Sequence, residues 1–296
     1  MAAESKELPE LVTVVSANVP RQAIEEICDW LAANDVAATA WEDFEGNASR
    51  IEIFLEDGAG ADEALAALND AGRLAGYELA PGIDTIRREE WSESWKRFFH
   101  TERVSPRLVV RPPWEEYQAA AGEAVVIMDP GMSFGTGQHG TTRACMQFID
   151  QLAADNLERS LLDAGCGSGI LAIAAAKLGF TTVCGYDNDP LAVEIATANA
   201  LVNGVAVDFF ESSLEAQRHC ADIVVANILA EVLIAQAAAL VASVSRHPAH
   251  ALLLSGILVA QYAAVVEAYR AVGFVEQAAI TIGEWRSGWF RRSLPE

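Results

Sequence analysis

The sequence predicts an α/β protein: a mostly parallel sheet with helices on both faces and an antiparallel hairpin at its C-terminal end, preceded by a small α+β unit. Three observations carry this. From about residue 120 onward apolar strand and helix patterns alternate. A glycine-rich turn joins the first clear strand to an alanine-rich helix in "LLDAGCGSGILAIAAAKLG", Leu161 to Gly179. The first 80 residues hold a separate strand and helix series with a different charge balance.

In that first segment "LVTVVSANV" alternates as a strand, "RQAIEEICDWLAAN" carries apolar residues at helical spacing, "RIEIFLE" is a second strand and "ADEALAALNDAG" a second helix. "YELAPGI" reads as a last strand. A small sheet with helices on one face follows, and because it shows no catalytic residues it is expected to dock a partner. Residues 1–80 hold 17 acidic and 4 basic side chains, a balance of −13, against 7 of each in residues 81–118.

Residues 81–118 read as an aromatic, helical connection. Trp91, Trp95, Phe98 and Phe99 fall at i, i+4, i+7 and i+8, one stripe on a helix that packs against something else. The stripe is read as core and not as a ligand site. The expected organisation is therefore a docking unit over 1–80, a linker over 81–118 and a catalytic domain over 119–296.

In the last segment strands are legible at Ser160–Ala164, Thr181–Tyr186, Val205–Phe210, Asp222–Ala226 and Ala251–Leu254. Helices start near Ile170, Leu191, Ala230 and Val259. The end, "FVEQAAITIGEWRSGWFRRS", reads as two strands joined by a turn around Arg286 to Gly288, an antiparallel hairpin at one edge.

Composition excludes several classes. The chain of 296 residues is 52% hydrophobic, enough for a sizeable core, yet it has no stretch of eighteen uninterrupted apolar residues for a bilayer. "MAAESKELPE" lacks the basic and apolar segments of a secretory signal, so a cytoplasmic location is expected. The five cysteines are scattered without a C-x-x-C pair and the five histidines lack ligand spacing, so no metal is expected. A net charge of −22 repels nucleic acid and favours basic partners. A monomer is expected.

The glycine turn raises the question of its ligand. In an open parallel sheet ligands sit beyond the carboxyl ends of the strands, where the strand order reverses. Gly165, Gly167 and Gly169 follow the strand that ends at Asp163. Glycines there permit a tight turn, let a ligand touch backbone and leave helix-start amides exposed, although such turns also serve packing alone. A dinucleotide loop is G-x-G-x-x-G; here the third glycine comes one residue earlier. G-x-G-x-G resembles motif I of the class I methyltransferases.

Asp187 lies 22 positions after Gly165, at the end of the next strand. A carboxylate there can accept both hydroxyls of an adenosine ribose, which either ligand needs. Asp189 is placed to cap the helix that Pro190 starts. In "ADIVVANILAEVL" Asn227 ends a strand with Ile228, Leu229 and Ala230 behind it. Its side-chain carbonyl can take the hydrogens of a neutral amine and aim the nitrogen lone pair at a methyl group.

Together, "DPGMSFGTGQHGTT" from Asp129 to Thr142, "LLDAGCGSGILAIAAAKLG", "DNDPLAVEIATANALVNG", "VVANILAEVL" and "LLSGILVAQ" resemble the PrmA family, methyltransferases of the eleventh protein of the large ribosomal subunit. The resemblance covers the catalytic half and reaches into "WSESWKRFF"; the first 80 residues match only as a general ferredoxin-like pattern. It implies a Rossmann-like class I methyltransferase domain, S-adenosyl-L-methionine as cofactor and a basic ribosomal protein as substrate, modified on its α-amine and on lysine ε-amines. It further implies cofactor contacts at Thr142, Gly165, Gly167, Asp187 and Asn227. Phe134, Gly135 and Thr136 would cover the methionine end, and Asn227 is the catalytic candidate. His139, in the same covering segment, is read as structural before catalytic.

Three alternatives stay open. One is a related lysine methyltransferase acting on another protein, such as an electron-transfer flavoprotein subunit, which would be expected to lack the N-terminal unit. Another is a nicotinamide-dependent oxidoreductase, disfavoured by the loop spacing and by Asn227. The last is a binding protein whose methyltransferase domain has lost activity.

Overall fold

The computed structural model describes residues 11–34, 36–41, 48–55, 59–87, 99–129, 139–155 and 158–293. The chain divides into two units, Met1–Phe98 and Phe99–Glu296.

The small unit runs β1 (Leu11–Pro20), α1 (Ile24–Ala33), β2 (Thr39–Trp41), β3 (Ala48–Leu55), α2 (Ala61–Leu74) and β4 (Gly82–Arg87). Its sheet has the order β2-β3-β1-β4 with every neighbour antiparallel. Two split β-α-β halves give this order, the ferredoxin-like arrangement. The sequence produces it by alternation: Val15, Ala17 and Val19 share one face of β1, and Val15 and Ala17 sit opposite Ile53 and Ile51 of β3. Onto that face pack Ile27 and Leu31 of α1 with Leu68 and Ala71 of α2.

Two expectations need correction here. The last strand starts at Gly82 and not at Tyr77; Pro81 has no N–H to give a ladder, so the strand begins after it. Residues 81–118 are also not one helical connection. Their first part is β4 of the small sheet, and their last part supplies β5 (Glu102–Arg103) and β6 (Leu108–Arg111) of the larger unit. Trp91, Trp95 and Phe98 lie outside the described residues. Phe99 is half-buried at the start of the larger unit.

In the larger unit β5, β6 and β7 (Ala124–Ile127) form a three-stranded sheet. Then follow α3 (Gly140–Asp155), β8 (Ser160–Ala164), α4 (Ile170–Leu178), β9 (Thr182–Asp187), α5 (Pro190–Asn203), β10 (Asp208–Glu211) and β11 (Ile223–Asn227). The chain ends with α6 (Ala230–Ala235), α7 (Ala237–Ala242), β12 (Ala251–Ser255), α8 (Val259–Ala271), β13 (Phe274–Ile282) and β14 (Trp285–Arg292). The main sheet has the order β10-β9-β8-β11-β12-β14-β13, with its first five strands parallel and β14 antiparallel to both neighbours.

Both faces of the central strands β8, β11 and β12 are buried, which explains their unbroken apolar runs. Leu161, Ile223, Val225 and Leu253 enter one core with α3 and α4. Leu162, Val224, Ala226, Leu252 and Leu254 enter the other with α6, α7 and α8. The edge hairpin turns at Gly283 and Glu284, between the paired Ile282 and Trp285, and not at Arg286 to Gly288. Gly283 takes a φ of +58°, which suits a two-residue hairpin turn. The shift puts Trp285 at the head of β14 instead of at the end of the preceding strand.

Candidate functional site

The strand order reverses between β8 and β11, so chain leaving β8 and chain leaving β11 diverge around a crevice. A cleft of about 580 Å³ lies there, lined by Gly165, Tyr186, Asp187, Asn188, Asn227 and Ile228 among others. The ends of three parallel strands thus converge on one space.

The turn after β8 is shaped by its glycines for two different reasons. Gly165 has a φ of +71°, and a Cβ there would lie 2.7 Å from Ile228 Cγ2, closing the cleft wall. Gly169 starts α4 at a φ of +78°, but its Cβ would meet the Phe209 ring at 2.7 Å and Ala196 at 2.9 Å. The third glycine is therefore a packing residue, whereas the first borders the cleft. Backbone bonds set the turn: the N–H groups of Gly165 and Cys166 both donate to the Tyr186 carbonyl at 2.9 Å.

Asp187 closes the same loop from β9. Its Oδ2 accepts the Gly167 N–H at 2.9 Å and its Oδ1 accepts the Asp189 N–H at 3.1 Å. Each carboxylate oxygen keeps acceptor capacity, so the half-buried group can still take two hydroxyls. Asp189 caps α5 as expected, its Oδ1 accepting the Leu191 N–H at 2.9 Å with Pro190 in the first turn.

Asp163, at the end of β8, is buried beneath the turn. The start of α4 has a glycine at its cap position, so Asp163 supplies an acceptor from the preceding strand: Oδ2 takes the Ala172 N–H at 3.1 Å. Burial pushes this carboxyl up to about 7 despite that bond, and the neighbouring Asp187 carboxylate adds to the rise. The adjoining thiols are inert, Cys145 pushed up to about 12 and Cys166 upward as well, both mainly by burial.

Across the cleft, Asn227 ends β11. Its Nδ2 lies 3.4 Å from Thr142 Oγ1, and donation to that oxygen turns the amide so that its carbonyl is available elsewhere. Thr142 itself is fully buried and, like Gly167, stands behind the lining residues. His139 lines the cleft, with Nδ1 at 2.7 Å from Thr141 Oγ1 and accepting the Thr141 N–H at 3.4 Å. Its ring meets that of Trp285 edge-on, centroids 4.9 Å apart. Phe134, Gly135 and Thr136 lie outside the described residues.

Residues that sequence reasoning missed are Thr141, Trp285 and the run Ser212 to Glu215, all of which line the cleft. The run follows β10 and was findable as one more carboxyl end of a parallel strand. Trp285 was not, because its place depends on where the hairpin turns.

The fit to an adenosyl sulfonium ligand rests on this donor set: a glycine wall that any Cβ would fill, a carboxylate at the ribose position and an amide carbonyl opposite. Comparison with known proteins points the same way. The family model for ribosomal protein L11 methyltransferase (PrmA) matches residues 13–293. A ribosomal protein L11 methyltransferase of Trichlorobacter lovleyi is 35% identical, over 94% of this chain and 97% of its own. One from Geobacter sulfurreducens is 40% identical, over 82% of this chain and 76% of its own. The crystal structure of a ribosomal protein L11 methylase from Lactobacillus delbrueckii subsp. bulgaricus superposes with a TM-score of 0.61 and 30% identity, covering 66% of this chain and all of that one. With the strand-end residues of the switch point in place and the match running through both units, the chain belongs to the ribosomal protein L11 methyltransferase family.

Proposed function

We propose that the protein transfers methyl groups from S-adenosyl-L-methionine to amines of ribosomal protein L11, the α-amine and lysine ε-amines among them. The observation that carries this reading is the convergence of Gly165, Asp187 and Asn227 on one cleft at the switch point, in a chain of this family. Bound cofactor supplies an electrophilic methyl group on a sulfonium. Gly165 lets backbone border the ligand, Asp187 takes the ribose hydroxyls, and Gly167 and Thr142 hold Asp187 and Asn227 in place.

The amine must be neutral to react. A lysine with a reference pKa of about 10.4 costs roughly 4.6 kcal/mol to deprotonate at pH 7, and an α-amine near 7.7 to 8 about 1 kcal/mol. Desolvation in the cleft lowers both costs by disfavouring the ammonium. Asn227 Oδ1 accepts an N–H of the neutral amine and fixes its approach, which supplies the rate through orientation. Nδ1 of His139 is bonded to Thr141, which fixes the ring as part of the cleft wall.

The acidic charge of the whole chain suits a basic ribosomal protein and opposes direct binding of nucleic acid. No described helix is long and apolar enough to cross a membrane. A substrate destined for the ribosome supports a cytoplasmic reaction. The small ferredoxin-like unit is the docking module, and the enzyme works as a monomer. Incubation of the enzyme and labelled cofactor with a ribosomal lysate, followed by mass spectrometry, tests the reading. Label on L11 amines is expected; label on another protein alone would replace this substrate assignment.

A further inference from the structure

Strand β12 runs through four apolar residues and ends at Ser255, a hydroxyl in a fully buried position. Burial of a hydroxyl costs stability unless it is bonded, and the bonds of this one lead toward the cleft. Ser255 Oγ donates to the Thr141 carbonyl at 3.1 Å and lies 2.7 Å from Ser287 Oγ of β14, which is buried as well. A hydroxyl has one proton and a carbonyl can only accept, so Ser287 is the donor in the second bond. The proton of Ser255 is thereby committed to Thr141.

The Thr141 carbonyl shares a rigid peptide plane with the N–H of Thr142, whose Oγ1 accepts from Asn227 Nδ2 at 3.4 Å. A bond of that length constrains the Asn227 amide only if its acceptor is itself fixed. Ser255 supplies the fixing. It is the ladder partner of Asn227 across β11 and β12. The next residue, Gly256, takes a φ of +81°, and a Cβ there would lie 2.3 Å from the Ile228 carbonyl oxygen, so the chain leaving one strand packs against the backbone leaving the other.

We propose that Ser255 is a positioning residue for methyl transfer: it holds the Thr141–Thr142 peptide, which sets the acceptor that turns the Asn227 amide toward the incoming amine. The inference rests on the amine methylation proposed above. Ser255 is not among the described residues that line the cleft, so it acts through Asn227 and not on the ligand. The same hydroxyl secures the facing wall. Thr141 Oγ1 lies 2.7 Å from His139 Nδ1, and Trp285, two places before Ser287 on the same face of β14, meets the His139 ring edge-on. One buried hydroxyl thus joins β12, β14 and the start of α3 behind the amine, while the ribose side at Gly165 and Asp187 is built without it.

A double-mutant cycle on the full-length protein tests this, with single-turnover methyl transfer to L11 as one readout and calorimetry of S-adenosylmethionine binding as the other. Ser255→Ala should slow transfer by about tenfold, since misplacing a reacting group is paid in rate, and leave the cofactor Kd within about twofold. In an Asn227→Ala background the same substitution should cost less than about twofold, because the residue it acts through is gone. A wild-type rate in Ser255→Ala, an equal loss in both backgrounds, or a loss of cofactor affinity matching the loss of rate would each overturn the proposal. If Ser255→Ala does not fold, Ser255→Cys, similar in volume and a weaker donor, takes its place in the cycle with the same outcomes. A wild type that binds cofactor but transfers no methyl to L11 overturns the substrate reading and this inference with it, whereas an active wild type with additive losses overturns the inference alone.

Discussion

At the scale of single residues the cleft separates two duties. Asp187 presents both carboxylate oxygens at the end of β9, each already steadied by a backbone N–H. Loss of two charge-assisted bonds of about 1.5 kcal/mol each would weaken cofactor binding by about a hundredfold. Asp187→Ala should show this by calorimetry; wild-type affinity would remove Asp187 from the ribose role. Asn227 faces it from β11, steered by Thr142. Asn227→Ala should lower turnover by about a hundredfold while cofactor affinity moves far less, because orientation is realised at the reacting nitrogen. Steady-state rates alongside binding constants separate the two; equal losses in both would make Asn227 a cofactor contact only.

At the scale of elements, what could be read from the chain depended on whether the signal was local. The strand at Ser160–Ala164 and the helix start at Ile170 were legible to the residue, since an apolar run meets three glycines there. The cap of α5 was legible too, because Asp189 and Pro190 each act within their own turn. Asp189→Ala should lower stability by about 1 kcal/mol, measured by urea unfolding with an unchanged slope. The hairpin was misplaced by a few residues, since "GEW" and "RSG" both offer a glycine and only pairing with β12 selects between them. The single helix expected after Asn227 is two short ones, α6 and α7, broken at Gln236. Nothing in that alanine-rich stretch announces the break.

At the scale of the molecule the sequence separated a small acidic α+β unit from a larger α/β unit, but it set the boundary too early. The edge strand β4 pairs with β1 across more than sixty residues of chain, a non-local contact that composition does not report. The contact boundary at Phe98 and Phe99 is accordingly the place to divide the chain. Removing residues 1–98 should abolish methylation of intact L11 while sparing cofactor binding. Full activity of the truncated enzyme on intact L11 would end the docking role of the small unit. Of the site, Gly165, Asp187 and Asn227 were legible because they end a strand or directly follow one; Trp285 and Thr141 were not, because the head of β14 and the start of α3, far apart in sequence, bring them to the cleft.

The most direct test is a crystal structure of the protein grown with S-adenosylmethionine. Density is expected between Gly165 and Asp187, with the ribose on the Asp187 carboxylate and the transferable methyl on the side of Asn227. Density elsewhere in the molecule, or an Asn227 amide turned away from the ligand, would contradict the account.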